Sequence, residues 1–529
     1  MGINIKVKSG KKEVRLKIGP GESILDLLIS QEIFISSVCG GGGRCGKCKI
    51  QLIEGRLDIT DLDKKLLTEE EIKQGVRLAC KAYPKEDCSI MVLSSKEDSD
   101  FEIIDTFNKE VFKADGNIGK VSFDNDKQYA IAIDIGTTTI AFCLINTIEN
   151  SIVGTYSRIN QQRRLGADVI SRIKAAGEGR DKQLQASIKK DLISGIKEII
   201  KGSGINKEEI KEIAISGNTT MVHLLMGYSC QTLGVFPFEP VNIKLIYKSF
   251  EEILGSNYLN TNISILPGIS TYVGGDIAAG LLACGFDKIE KTSMLIDIGT
   301  NGEMAIGNKD KILVCSTAAG PAFEGGNISH GVGSISGAIS SLSIENNKVN
   351  FNTIKNAPPV GICGTGVIDV TSELIKAKLV DETGLLIEEF NEKGFKLAVD
   401  EKGNDILFTQ KDIREMQLAK SAIRTGIEIL IDKFGIDYKD IDQVFLAGGF
   451  GQKINIKNAA EIGLLPVEFI SKTSATGNSS LAGTVDYLLD EGSRYRIEKI
   501  IAGSVEIELS NDPKFNDYFM DYMFFTNDL

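Results

Sequence analysis

Three cysteines crowd a glycine-rich loop near the start of the chain, and a fourth follows some thirty residues later. They are Cys39, Cys45 and Cys48 in the run CGGGGRCGKC, then Cys80 in RLACKAY. Four thiolates, three of them on one loop, fit the ligand set of a [2Fe–2S] cluster. The glycines suit this chemistry because a loop around a compact cluster needs unusual backbone angles and must aim N–H groups at sulfur. A zinc site is the alternative, although zinc sites more usually present two separated C-x2-C pairs.

A second chemical pattern occurs twice, each time directly after an apolar strand. Asp134 begins the first copy, DIGTTT, and Asp297 begins the second, DIGTNG. Glycine allows close backbone approach, and N–H groups and threonine hydroxyls can donate to phosphate oxygens. An aspartate at this point can hold Mg²⁺ through water or help to position an attacking water. The expected phosphate-binding residues are Gly136, Thr137 and Thr138 in the first copy, and Gly299, Thr300 and Asn301 in the second.

A glycine-rich turn late in the chain is the third element of this pattern. Gly448, Gly449 and Gly451 lie in LAGGFG, after the apolar run DQVFL. Glycines at this place would let a nucleoside lie flat against the backbone. The chain contains no G-x-x-x-x-G-K-[ST] motif, which argues against a P-loop ATPase. A single Asp-x-Gly turn is also an ordinary hairpin signal, so the prediction of a nucleotide site depends on the three elements together.

Several other polar residues remain ambiguous from the sequence. Glu303 could assist Asp297 or be a solvated strand residue, with equal weight for each. Asn218 and Thr219 end a predicted strand and are candidates for the cleft, with a structural turn as the alternative. Cys88 and Cys363 lie outside the cluster pattern and are expected to be structural, buried thiols.

The elements that must position these residues fall into three segments. Residues 1–95 predict short strands, a helix near 23–31 and the cysteine loop, and residues 96–127 are a polar predicted linker. From residue 128 to 529, buried strands alternate with amphipathic helices, for example over 184–201 and 412–434, which indicates α/β layers. Because the D-x-G-T hairpin is duplicated, we expect two similar lobes, each contributing one turn to a shared cleft.

The composition narrows the functional classes. The 529 residues are 42% hydrophobic and 25% charged, which is typical of a globular protein of several domains. A formal net charge of −12 argues against nucleic acid as the main partner. The sequence has no signal-peptide pattern and no run of 18 apolar residues, so no membrane partner is expected and a cytoplasmic location is predicted.

Two resemblances follow from these motifs. The cysteine loop resembles plant-type and adrenodoxin-like ferredoxin domains. The order of hairpin, helix, hairpin and glycine-rich turn is similar to the superfamily of acetate and sugar kinases, heat-shock chaperones and actin. The resemblance implies a β-grasp ferredoxin domain followed by a two-lobed, actin-like (duplicated, ribonuclease H-like) ATPase, of mixed α/β and α+β class. It also implies that the segments beginning at Gly275 and Ser480 are helices connecting the lobes.

Within that superfamily the sequence most resembles iron–sulfur, ATP-dependent reductive activators of corrinoid methyltransferase proteins. The runs that carry the resemblance are GADVISRI from Gly166, SGNTTM from Ser216, AGPAFEG from Ala319, GICGTG from Gly361 and SNDP from Ser510. The resemblance implies one [2Fe–2S] cluster, ATP and Mg²⁺ as cofactors, and a corrinoid protein as the electron acceptor, whose Co(II) is reduced to Co(I). It also implies an unidentified low-potential electron donor and makes a homodimer reasonable.

Three other functions remain open at this point. The chain could deliver electrons to a non-corrinoid acceptor, act as a redox-sensing ATPase, or phosphorylate a small molecule as other members of the superfamily do. A small-molecule kinase would not explain the fused redox domain. The sequence names no acceptor pocket that would separate the first alternative from corrinoid reduction.

Overall fold

The structure of the protein is a computed structural model. This structure describes residues 2–10, 12–19, 21–31, 33, 35, 37, 40–43, 45–93, 127–345, 348–451 and 453–525. Cys39 and nearly all of the predicted linker, residues 96–126, lie outside the described residues. The three segment boundaries predicted from the sequence therefore stay predictions.

The N-terminal segment forms one sheet, of strand order β2-β1-β5-β3-β4, with a helix packed on it. Ser23 accepts from the backbone N–H of Asp26 and caps helix α1, as the predicted helix requires. Its elements are β1 (Ile3–Ser9), β2 (Lys12–Ile18), α1 (Ile24–Ser30), β3 (Lys49–Glu54), α2 (Asp61–Leu66), α3 (Glu69–Lys73), β4 (Val76–Leu78) and β5 (Cys88–Val92). The buried side chains include Ile5, Leu28, Ile50 and Ile90, so alternate strand residues and one helix face form a separate core.

The first lobe is built on a six-stranded sheet of order β10-β11-β9-β6-β7-β8. Strands β6 and β7 form the first predicted hairpin, and β9 and β11 extend the sheet in parallel to β6. The elements are β6 (Tyr129–Ile135), β7 (Thr139–Asn146), β8 (Ser151–Ile159), α4 (Val169–Ala175), α5 (Asp181–Ser203), β9 (Ile210–Gly217), α6 (Thr219–Met226), β10 (Ile246–Ser249), α7 (Phe250–Leu254), β11 (Asn262–Ile265) and α8 (Gly275–Ala283).

The second lobe repeats this arrangement in a sheet of order β21-β20-β12-β13-β14-β22. Strands β12 and β13 form the second predicted hairpin, while β20 and β21 continue the sheet in parallel. Its first elements are β12 (Ser293–Ile298), β13 (Gly302–Gly307), β14 (Ile312–Thr317), β15 (Ala338–Glu345), β16 (Lys348–Thr353), β17 (Gly361–Ile362), α9 (Gly364–Lys376), α10 (Glu388–Asn391), β18 (Phe395–Val399), β19 (Asp405–Phe408) and α11 (Gln410–Phe434). The rest are β20 (Gln443–Ala447), α12 (Gly448–Gly451), α13 (Ile456–Glu461), β21 (Thr473–Gly477), α14 (Ser479–Leu489), α15 (Gly492–Gly503), β22 (Ser504–Glu506) and α16 (Phe515–Asp521).

The matching strand directions confirm the predicted duplication and the actin-like fold class. Each lobe has two antiparallel strands on one side of its first strand and two parallel strands on the other. Among the described residues, no helix has both the length and the apolar character needed to cross a membrane.

Helices α8 and α14 pack against each other between the two sheets. A Cβ added at Gly483 of α14 would lie 1.8 Å from the carbonyl oxygen of Ala279 in α8, so the two backbones touch at this crossing. Apolar side chains of α14, Leu481 and Val485, pack on the first sheet, while Leu281 and Leu282 of α8 belong to the cluster that covers Leu295 in the second. These are the two connecting helices that the resemblance implied.

Candidate nucleotide cleft and cluster loop

The two D-x-G-T turns face each other across one cavity of about 410 Å³ between the lobes. The cavity is lined by most of the nucleotide residues predicted from the sequence. Those that line it are Asp134, Gly136, Thr137, Thr138, Asp297, Gly299, Thr300, Asn301, Gly448 and Gly449. The surroundings of Gly451 lie outside the described part of the structure, so its role stays a prediction. The glycine-rich turn is helical from Gly448 to Gly451 rather than extended.

Gly448 explains why a glycine is needed next to the second aspartate. Its φ of +91° lies in the left-handed region, and an added Cβ would be 2.6 Å from Oδ1 of Asp297. Any larger residue would therefore displace the aspartate that ends β12. Strand β20 runs parallel to β12, which brings its end and this turn beside Asp297.

Asp134 is oriented by residues from the far end of the chain. The side-chain amide of Asn478 donates to its Oδ2 at 2.8 Å, and the hydroxyl of Ser480 donates to its Oδ1 at 2.8 Å. Ser480 also contacts Ser216, to which the Thr484 hydroxyl donates. Because Asn478 caps α14, the first turn of that helix fixes the carboxylate that ends β6.

Four carboxyl groups gather on the floor of the cavity. Asp276 at the start of α8 and Glu303 on β13 join the two predicted aspartates. Burial raises the pKa of Asp297 to about 7, and the neighbouring Asp276 and Asp134 add to the shift. Burial and the charge of Asp134 likewise raise the pKa of Asp276 to about 7. Burial, with the charges of Asp276 and Asp297, raises the pKa of Glu303 well above its usual value. Like charges held together away from water favour the binding of a cation, although among the described residues no three of these carboxylates are grouped as a metal site.

The first phosphate turn is held by a fully buried arginine. Arg172 of α4 donates from Nη2 to the carbonyl of Thr137 and from Nε to the carbonyl of Gly166 at 2.8 Å. Asn218 donates to the Thr137 hydroxyl at 3.1 Å and lines the cavity, whereas Thr219 donates to Ser270 and does not line it. Asn218 also has the structural role that was the alternative prediction, since its side chain caps the N-terminus of α6.

The segment that leads into the cysteine loop forms part of the wall of this cavity. Ile35 and Ser37, from the segment that leads into the loop, line it together with the phosphate turns. Gly40, with a φ of +58°, approaches the first lobe so closely that an added Cβ would be 2.7 Å from the Leu165 carbonyl oxygen. Asp26 forms an ion pair of 2.8 Å with Arg180 nearby. Burial lowers the pKa of Lys47 in the ferredoxin domain, and the charge of Lys411 in α11 of the second lobe lowers it further.

Two of the described cysteines lie near each other, and the cluster ligands stay a prediction. The N–H of Ala79 donates to the carbonyl of Cys48 at 2.8 Å, which places Cys80 beside the loop. An added Cβ at Gly41 would lie 4.0 Å from that of Cys80. Cys48 and Cys80 are buried and Cys45 is half-buried. Within the described residues no three cysteines are grouped as a metal site. Thiols beside a loop with four left-handed glycines are nevertheless the residue types that an iron–sulfur cluster loop uses.

The two thiols outside the cluster pattern are buried, as predicted. These are Cys88 and Cys363, although Cys363 also lines the cavity. His223 is fully buried on α6. Its Nδ1 lies 2.8 Å from the Thr219 carbonyl, and its Nε2 accepts from the Val241 N–H.

Known protein families match this chain over nearly its whole length. Residues 7–85 match the 2Fe-2S iron–sulfur cluster binding domain, 129–289 the RACo middle region, and 291–529 the C-terminal ASKHA domain of RACo. The corrinoid activation enzyme RamQ of Eubacterium limosum is 30% identical, over 97% of this chain and 98% of its own. The chain belongs to the family of corrinoid activators.

Two further proteins of comparable similarity support this family assignment. The reductase of the methylated amine-specific corrinoid protein from Methanosarcina barkeri is 26% identical over 74% of this chain and 76% of its own. The solved structure of a reductive activator for a corrinoid, iron–sulfur protein superposes with a TM-score of 0.68. It is 28% identical and covers 99% of this chain and 98% of that one. This corrinoid activator therefore has a 2Fe-2S ferredoxin domain fused to an actin-like domain of the type that binds ATP.

Proposed function

We propose that this activator uses MgATP to drive the reduction of a corrinoid protein from inactive Co(II) to Co(I). The names of two relatives refer to the activation or reduction of corrinoid proteins, which supports a corrinoid protein as the electron acceptor. The observation that carries the proposal is that the segment leading into the cysteine loop lines the cavity that holds both phosphate turns, while Gly40 of the loop packs on the first lobe. A redox loop attached to the wall of a nucleotide cleft suits a protein whose electron delivery depends on its nucleotide.

The cleft residues take separate roles in binding MgATP. The backbone N–H groups and hydroxyls of the two D-x-G-T turns would hold the phosphates, and the turn at 448–451 would take the adenosine. Mg²⁺ would bind between Asp134 and Asp297, with Asp276 and Glu303 beside them. A dication relieves the repulsion that now raises the pKa values of these carboxyls, which supports this assignment.

Cys39, Cys45, Cys48 and Cys80 would hold the cluster. A bound [2Fe–2S] cluster supplies a one-electron carrier. The chain's own contribution is to aim the thiols from a glycine-rich loop and to seat that loop on the first lobe through Gly40 and the Asp26–Arg180 ion pair.

Coupling to ATP is needed because reduction of Co(II) to Co(I) is uphill for an ordinary cellular donor. A nucleotide can change the outcome only by binding two states of the protein with different affinity. A cleft between two lobes provides such states, and the cysteine loop rests on the first of these lobes through Gly40. A separate low-potential donor would supply the electron, and a homodimer is the quaternary state that we propose from the family resemblance.

Two variants test whether both halves are required. In Cys45→Ser the cluster should be lost, and with it all Co(I) formation, while MgATP still binds with unchanged affinity. In Asp297→Asn the visible absorbance of the cluster should be kept, while ATP hydrolysis falls roughly a hundredfold or more. Cys88→Ala is the matched control, since Cys88 is a buried thiol of the same domain outside the loop.

Titration calorimetry, cluster absorbance and Co(I) absorbance separate these outcomes. Co(I) formed at the normal rate by Cys45→Ser would show that the electron does not pass through the cysteine loop. Co(I) formed at the normal rate by Asp297→Asn would show that the cleft does not drive the reduction.

A further inference from the structure

Glu324 is a carboxylate in the cleft to which neither the sequence nor the family resemblance gave a role. It ends the 3₁₀ turn Pro321–Glu324, in the run AGPAFEG. The next residue, Gly325, has a φ of +75°, and an added Cβ would lie 2.3 Å from the Val332 carbonyl oxygen. This close backbone contact fixes the turn, and the turn presents Glu324 to the cavity.

The two oxygens of Glu324 accept from two different lobes. The Thr138 hydroxyl in the first phosphate turn donates to Oε2 at 3.1 Å. The Thr300 hydroxyl in the second phosphate turn donates to Oε1 at 2.8 Å. One carboxylate thus spans the cleft and joins the two turns that are expected to hold the phosphates.

These contacts compete with a phosphate for the same hydrogens. Each threonine hydroxyl has one hydrogen to donate, so it cannot donate fully to Glu324 and to a phosphate oxygen together. A carboxylate and a phosphate are also both anions, and they repel each other when they are held in one partly dehydrated cavity. Burial raises the pKa of Glu324, while the hydrogen bonds from Thr300 and Thr138 and the charge of Arg172 oppose this rise, so the two threonines favour the charged carboxylate.

We propose that Glu324 is the residue that senses the terminal phosphate of the nucleoside triphosphate. Without nucleotide it joins the two turns through Thr138 and Thr300. The terminal phosphate takes over both hydroxyls and releases Glu324, whereas a diphosphate lacks that group and leaves the link in place. The assignment deepens the proposed function and rests on it, since it assumes that the cleft binds ATP.

The first test compares the affinities for a triphosphate and a diphosphate. In Glu324→Gln the negative charge is gone, so we expect a non-hydrolysable ATP analogue with an imido bridge to bind about tenfold more tightly, with the affinity for ADP changed less than twofold. Titration calorimetry in the presence of Mg²⁺ measures both constants. Glu415→Gln is the matched control, because Glu415 is a half-buried carboxylate that accepts from Asn327 in the same region and does not line the cavity.

A second measurement needs no nucleotide. In Glu324→Ala the link is lost, so hydrogen exchange at residues 136–139 and 299–302 should be several times faster than in the unmodified protein, with the rest of the lobes unchanged. The ATP analogue should slow this exchange again in the variant, and ADP should not.

The outcomes separate this assignment from the function on which it rests. An unchanged ratio of triphosphate to diphosphate affinity in a folded Glu324→Gln variant would overturn the sensor role while leaving the ATP-driven activity standing. Unchanged exchange in Glu324→Ala would do the same. An unmodified protein that binds neither nucleotide would overturn the proposed function and the sensor together.

Discussion

At the scale of single residues, the cleft combines carboxylates whose surroundings differ. Asp134 accepts from Asn478 and Ser480, which oppose the effect of burial on its pKa. Asp276 and Asp297 instead face other carboxylates, and burial raises the pKa of each to about 7. The protein without magnesium therefore stores unfavourable electrostatic energy at the place where a cation would be used.

This arrangement predicts how stability depends on pH. The pKa of Asp276 rises from 3.8 to about 7 on folding, so the folded state holds more protons than the unfolded state between these values. The contribution to stability is therefore fully present at low pH and is lost as the pH rises through about 7. In magnesium-free buffer, raising the pH from about 5 to about 8 should lower the melting temperature of Asp276→Asn less than it lowers that of the unmodified protein.

Thermal unfolding followed by circular dichroism at several pH values makes this comparison. Asp310→Asn, which removes an exposed aspartate in the turn between β13 and β14, should keep the slope of the unmodified protein. Identical slopes for Asp276→Asn and the unmodified protein would show that Asp276 does not titrate in this range.

At the scale of elements, the crossing of α8 and α14 sets the distance between the lobes. A Cβ at Gly483 would meet the Ala279 carbonyl at 1.8 Å, which no side-chain rotation can relieve. The same helices begin at the cleft, where α8 places Asp276 and the cap of α14 holds Asp134. Packing at this crossing is therefore tied directly to the geometry of the carboxylates.

Gly483→Ala tests that dependence. Overpacking of this kind typically costs about 1–3 kcal/mol, and the forced separation of α8 and α14 should also weaken MgATP binding. Gly202→Ala in α5 is the control, since a Cβ there meets nothing within 4 Å and alanine favours a helix by about 1 kcal/mol. Denaturant unfolding and nucleotide titration report the two effects, and a stable Gly483→Ala variant with normal nucleotide affinity would contradict this role for the crossing.

The elements also show which parts of the site were predictable. The two hairpins, the long helices and the cysteine loop follow from local patterns of apolar residues, glycine and cysteine. Asp276 and Glu324 were missed as site residues because they reach the cleft from elements distant in sequence from the D-x-G-T turns. A signal did exist, since each is an isolated acid in an otherwise apolar and glycine-rich run, VGGDIAAG and AGPAFEGG.

At the scale of the whole molecule, the ferredoxin domain is linked to the nucleotide cleft through a short series of contacts. Gly40 of the cysteine loop meets Leu165, the next residue, Gly166, accepts from Arg172, and Arg172 donates to Thr137 in the first phosphate turn. A change in that turn on nucleotide binding thus has a direct physical route to the surface on which the cysteine loop rests.

A charge exchange at the edge of this surface tests the docking. Asp26 and Arg180 are partly exposed, so the pair alone contributes no more than about 1 kcal/mol, but two like charges there would repel. We expect Asp26→Arg to increase the radius of gyration and the double variant Asp26→Arg with Arg180→Asp to restore it. Small-angle scattering measures this, and an unchanged radius in Asp26→Arg would show that the pair does not help to hold the domain.

The central claim is that this protein delivers an electron to a corrinoid protein only when it has ATP. The most direct measurement mixes the reduced protein, without oxygen, with a Co(II) corrinoid protein and follows the absorbance of Co(I). Three samples contain MgATP, MgADP or no nucleotide. We expect Co(I) with MgATP alone. Equal Co(I) in all three samples, or none in any of them when the cluster is intact and nucleotide is bound, would contradict the central claim.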